Sequence, residues 1–110
     1  MKSYTDIEQS KKLAKILPIE SADMFYTSLN SDYPWIWIDK HLMEVEDIPC
    51  WSLSALLGVL EHPRCFQGDK PTYWFCGCFG KDKLYHEVEA DNPVDACVAM
   101  IEKLNELKLL

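Results

Sequence analysis

Glycine is scarce in this 110-residue chain, with four residues. Gly58, Gly68, Gly77 and Gly80 spell neither G-x-G-x-x-G nor a P-loop, so no phosphate-cradling turn of those two kinds is present. No apolar run approaches the roughly 20 residues that a membrane-crossing helix requires, and membrane partners are not expected. Positive charge is also in short supply. Eleven Lys and Arg face eighteen Asp and Glu, a net charge of −7, which argues against general affinity for nucleic acid or anionic lipid. The one basic cluster, Lys11-Lys12-Lys15, falls on a helix that also carries Asp6 and Glu8. Neither G-x-S-x-G nor H-E-x-x-H occurs, and with them go the local signatures of a serine hydrolase and a zincin protease.

What remains is an ordinary globular balance, 48% hydrophobic and 26% charged, in a length that suits one domain over residues 1–110. Cysteine is present but odd in number: Cys50, Cys65, Cys76, Cys78 and Cys97. Met1 to Asp6 lead into a polar helix rather than a signal sequence. Together these predict free thiols in a reducing compartment, and hence a cytoplasmic protein.

The apolar run Ile48–Leu60 lies at the middle of the chain and separates two similar halves. Ser52 is the expected N-cap of a central helix there, with Pro49 fixing the approach and Leu53, Leu56, Leu57 and Leu60 forming its buried face. Before it, Thr5-Asp6-Ile7-Glu8 has the form of a capping box and predicts a first helix over about residues 6–17, ended by Pro18. Met24–Thr27 and Tyr33–Asp39 read as strands, the second apolar on both faces through Trp35, Trp37, Ile36 and Ile38. Residues 40–47 admit a short hairpin arm or none. After the central helix, Arg64–Pro71 reads as a loop. Thr72–Phe79 and Leu84–Glu89 then form a hairpin around Gly80–Lys83, with Leu84, His86 and Val88 inward and Tyr85, Glu87 and Glu89 outward. Asn92, Pro93 and Asp95 start a last helix over about residues 93–107, whose stripe is Val94, Cys97, Val98, Ile101, Leu104 and Leu107. The expected fold is α+β, a four-stranded antiparallel sheet with three helices in the order α-β-β-α-β-β-α.

Cys76 and Cys78 share a strand face about 7 Å apart. With His62, Cys65 and His86 close in sequence, a metal set can be written as His62, Cys65, Cys76 and Cys78, or as Cys65, Cys76, Cys78 and His86. The paired C-x₂₋₄-C knuckles of structural zinc sites are missing, and small residues packed in a tight strand are the favoured reading. No cofactor is expected. Cys50, beside Trp51 at a helix start, has no base to activate it. Glu44, Glu46, Asp47, Glu87, Glu89 and Asp91 match no EF-hand or glycosidase spacing and read as a solvated face. The aromatic residues say more. If helices cover one sheet face only, rings on the other are left outside, and Trp35, Trp37, Tyr73, Phe75 and Tyr85 become a candidate binding surface or dimer interface. An RNA-stacking role is set aside, because Glu87 and Glu89 share the strands with few lysines.

The segment Ala90-Asp91-Asn92-Pro93-Val94-Asp95-Ala96-Cys97-Val98-Ala99-Met100-Ile101, with Leu104-Asn105-Glu106-Leu107, Ser21-Ala22-Asp23-Met24 and Pro49-Cys50-Trp51-Ser52-Leu53, resembles small proteins carried by phages and mobile elements of gut bacteria. The resemblance spans most of the chain. It implies an accessory role on a mobile element and brings no activity, cofactor or catalytic residue with it. The expectation is therefore a small, non-enzymatic cytoplasmic protein that binds another protein or itself. The alternatives are a Cys/His metal-binding domain and an acidic mimic of nucleic acid.

Overall fold

Asp6, not Thr5, opens the first helix. The computed structural model describes residues 2–27, 30–36 and 47–110, and α1 spans Ile7–Ala14 with its capping box one residue later than the sequence suggests. Asp6 Oδ1 accepts from the Gln9 N–H at 2.8 Å, and the Asp6 N–H donates to Gln9 Oε1 at 3.1 Å. Thr5 is occupied elsewhere. Fully buried, its hydroxyl meets Ser10 Oγ at 2.8 Å and accepts from the Trp51 N–H at 3.1 Å. Its carbonyl accepts from the Tyr26 hydroxyl at 2.7 Å. A buried polar group holds its place only when so bonded, and Thr5 thereby ties the N-terminal segment to the middle of the chain.

Strands follow as β1 (Met24–Thr27), β2 (Asn30–Ile36) and β3 (Ile48–Cys50), forming a three-stranded antiparallel sheet in the order β2-β1-β3. The Ile48-Pro49-Cys50 piece, expected as the approach to the central helix, pairs instead with β1, Met24 opposite Cys50 and Tyr26 opposite Ile48. Helix α2 (Leu53–Val59) starts where expected, its Ser52 Oγ accepting from the Ala55 N–H at 3.2 Å. It is less buried than the leucine count implies. Leu56 and the cap residue Leu60 are inside, whereas Ser54 and Gly58 are exposed.

The second half holds the main correction. Residues 64–71 are not simply a loop: β4 (Glu61–Gln67) pairs antiparallel with β5 (Trp74–Phe79), which pairs with β6 (Tyr85–Ala90). Among the described residues there are thus two separate three-stranded sheets, not one sheet of four. Pro63 explains why β4 hides in the sequence. It cannot donate to a ladder, so it suits only an edge strand or an irregularity, and here the register shifts between Glu61 and Arg64 while His62 takes a positive φ of 48°. Helix α3 (Pro93–Glu106) is capped by Asn92, whose side chain accepts from the Asp95 N–H at 2.9 Å. It lies against β5 and β6 and meets α2. Trp51, Leu56, Met100, Ile101 and Leu13 are fully buried and form one core with the inward thiols of β5.

A clamp fixes the start of α3. Lys2 Nζ reaches Asp95 Oδ1 at 2.9 Å and Asp6 Oδ2 at 3.0 Å, and Gln9 Nε2 donates to Asp95 Oδ1 at 2.8 Å. Burial works against the Asp95 charge, but hydrogen bonds from Lys2, Gln9 and Asn92 outweigh it and hold the carboxyl below the usual carboxylate range. Among the described residues no helix is long and apolar enough to cross a membrane.

Candidate functional site

Alternation along β5 sends its side chains two ways. Trp74, Cys76 and Cys78 point toward α3, and Phe75, Gly77 and Phe79 point away from it. The register carries the division across the sheet. Cys65 and Val88 flank Cys76, and His86 is opposite Cys78, on the helix side. On the far side Phe66 and Glu89 flank Phe75, Arg64 and Glu87 flank Gly77, and Tyr85 is opposite Phe79.

The inner face is a thiol layer. Cys76, Cys78 and Cys97 are fully buried, and all five cysteines are free. A hydrogen bond with Cys76, then burial, drives the Cys97 pKa far up, so that sulfur stays a thiol. Burial pushes Cys78 up to about 11 and also raises Cys65 and Cys50. These raised thiols are not ready nucleophiles at neutral pH, and Cys76, whose pKa the hydrogen bond with Cys97 lowers, is fully buried and closed to solvent. His86 is held by Asp82, Nε2 to Oδ2 3.1 Å, in the β5–β6 turn. Among the described residues no group of three or more His, Cys, Asp or Glu could hold a metal ion. The structure does not bring Cys65, Cys76, Cys78 and His86 together as one set: Cys65 and Cys76 converge on Cys97, and His86 turns to the loop. His62 is on the other side, edge-on to Phe79 with centroids 6.3 Å apart.

The outer face is aromatic and open. Phe66, Tyr73, Phe79 and Tyr85 are exposed by 38%, 40%, 39% and 42%, too much for core rings. They are nonetheless ordered against one another. Phe66 stacks on Phe75 at 5.1 Å, Tyr73 tilts onto Phe75 at 5.2 Å, and Phe79 meets Tyr85 edge-on at 5.8 Å. Such ring pairs add modest energy beyond area burial. Arg64 lies over the Phe66 ring, 5.8 Å from its centroid, and has no ion-pair partner among the described residues. Tyr85 reaches back over Gly77 and donates to Glu87 Oε2 at 2.9 Å. A Cβ on Gly77 would collide with the Tyr85 hydroxyl and ring, so only glycine leaves room for that ring to lie flat. A hydrogen bond to Glu89 raises the Tyr73 pKa, and burial followed by the bond to Glu87 raises that of Tyr85. Both phenols remain neutral donors.

The fold sorts the sequence-derived aromatic set accordingly. Tyr73, Phe75 and Tyr85 share this face. Trp35 belongs to the other sheet, on β2 opposite Phe25 of β1, and is 57% exposed there. Trp37, Ile38 and the arm at 40–46 lie outside the described residues. Sequence reasoning missed Arg64 and Phe66, because their segment read as a loop, and passed over Gly77. Alternation through Cys65-Phe66-Gln67 beside an aromatic strand was the available signal. Elsewhere a groove of about 750 Å³ opens between the end of α1 and α2, lined by Leu17, Pro18, Ala22, Ala55 and Val59. Polar groups at its margin serve the fold: Ser21 Oγ accepts from Trp51 Nε1 at 2.9 Å, and Asp23 holds Ser52 through both its N–H and its hydroxyl. The chain matches no protein-family model, no curated protein and no solved structure.

Proposed function

We propose that this protein is a small, non-enzymatic cytoplasmic accessory protein that acts by contact between protein chains through the outer face of β4–β5–β6. The observation that carries the reading is the pairing of a sealed inner face with four partly exposed, mutually packed rings on the outer one. Rings with a polar tip, beside one Arg and two Glu, have the composition of a protein interface. Charge favours protein over nucleic acid, since Glu87 and Glu89 border the rings and the chain carries −7 overall. The polar groups on this face fix the phenols rather than converge in a cleft, as a catalytic site requires. Five free thiols support a reducing compartment. A phage or mobile-element origin rests on the sequence resemblance of the 21–24, 49–53 and 90–107 segments alone.

The test is photo-crosslinking in cells with p-benzoylphenylalanine in place of Phe79, and in place of Lys11 on α1 as the control position. Protein adducts from position 79 that exceed those from position 11, and that fall when Phe66→Ser is added, support the reading. Equal or absent adducts from position 79 overturn it.

A further inference from the structure

Arg64, Gly77 and Glu87 form one row straight across the outer face, positive on the β4 edge and negative on the β6 edge. We infer that the occupant of this face is a second copy of the same chain, docked face to face about a two-fold axis parallel to β5. The inference rests on the proposed protein-binding role and names the partner.

Symmetry selects this axis. Rotation by 180° about a line parallel to the strands keeps each residue at its own level and exchanges the two edges, so Arg64 faces the partner's Glu87, and Glu87 faces the partner's Arg64. A two-fold axis lying across the strands, through the same row, would instead set Arg64 against its own copy and Glu87 against its own. Like charges opposed in this way repel and weaken the contact, whereas complementary ones fix register. An interface about a two-fold is self-complementary by construction, and this row meets that condition with a cation that has no other ion-pair partner among the described residues. The middle of the contact would be apolar, Phe75 and the Tyr85 ring over Gly77 meeting their own copies. Aligned sheets of this kind pack about 10 Å apart.

Size sets the strength. Three strands and a six-residue central strand give a face of about 15 by 20 Å. That covers well under the about 800 Å² per partner of a standard interface, and a net charge of −7 on each copy opposes approach. The dimer is therefore weak and concentration-dependent.

Sedimentation velocity of the full chain over about 5–500 µM brackets such an affinity. The wild type is expected to shift from monomer to dimer across that range. Arg64→Glu alone and Glu87→Arg alone each set two like-charged pairs in the dimer and should weaken it at least about tenfold. Mixed in equal amounts, the two variants regain both pairs as a heterodimer, and association should return to near the wild-type level. Both positions are exposed, and matching far-UV circular dichroism and melting curves guard against misfolding. A wild type that stays monomeric throughout, single variants that associate normally, or a mixture that fails to associate would each overturn the inference. The crosslinking experiment separates the two levels. An adduct of twice the chain mass from position 79 supports the second copy, an adduct to a different protein overturns it while leaving the protein-binding role standing, and no adduct removes both.

Discussion

The two faces of the second sheet are made from the same three strands and have opposite construction. Inside, β5 offers Cys76 and Cys78, and β6 offers Val88 and Ala90, side chains small enough for α3 to settle closely on the sheet. Outside, the same strands carry Phe66, Phe75, Phe79 and Tyr85, with Tyr73 just before β5. Apart from Trp74, the rings of this sheet stand outside, and the sheet's inward face is made mostly of small side chains. Ring count is therefore a poor guide to burial in this protein. What decides burial is which face a helix covers, and α3 brings its own bulk in Val94, Met100, Ile101 and Leu104.

The contrast can be broken from the inside first. Ile101→Ala on α3, at a fully buried position, should cost about 2–5 kcal/mol in chemical denaturation, since it leaves a cavity that the sheet cannot close. Cys76→Leu tests the same layer by overfilling it, with an expected loss of about 1–3 kcal/mol. Removing the α3 cap with Asn92→Ala should cost about 1 kcal/mol, because the Asp95 N–H loses its acceptor.

The Lys2–Asp95 clamp gives a pH signature. Asp95 and Asp6 are held below their ordinary 3.8, so their contribution is present above that value and is lost as pH falls through the lowered folded values. For Lys2 burial lowers the pKa, but bonds to Asp95 and Asp6 outweigh it and raise it above 10.5. Its contribution is whole below 10.5 and fades as pH rises through the raised value. Melting temperature followed across pH should fall on both sides, and Lys2→Met should flatten the alkaline fall and lessen the acid one. The smallest effect on stability belongs to the outer face. Phe79→Ser should lower unfolding free energy by about 1 kcal/mol or less, the loss of its edge contacts with Tyr85 and His62, yet abolish self-association in sedimentation. A large stability loss there would mean that the ring is core after all, and would erase the contrast between faces.

Much of the chain was legible before any coordinates. Asn92-Pro93 and Asp95 announced α3 to within a residue, because capping chemistry is local. Ser52 opened α2 as expected, and Met24–Thr27 matched β1. The failures were residues whose state depends on a distant partner. Thr5 looked like a helix cap and became a buried hub, since Trp51 and Tyr26 meet it from across the chain. Ile48–Cys50 looked like the run-in to a helix and became a strand only because β1 offered an edge. Arg64 and Phe66 followed the same rule: β5 made them a strand, despite Pro63. For the candidate site, the hairpin alternation put Tyr85 outward and His86 inward as found, but Leu84, expected inward with His86 and Val88, is 63% exposed because it sits in the turn before β6. Alternation did not separate Trp35 from Tyr73, because assigning rings to one sheet or another is a question of pairing rather than pattern.

Composition and local spacing alone determined an acidic α+β chain with three helices, the caps of the second and third, a C-terminal hairpin and thiols on one strand face. These follow from backbone preferences and short-range hydrogen bonds, which the neighbouring residues fix. Only the tertiary structure decided that there are two sheets, that α3 covers the thiol side, and that Arg64, Gly77 and Glu87 stand in one row. Strand pairing joins residues far apart in sequence, and hydrogen-bond register, which no local pattern contains, settles which side chains share a surface.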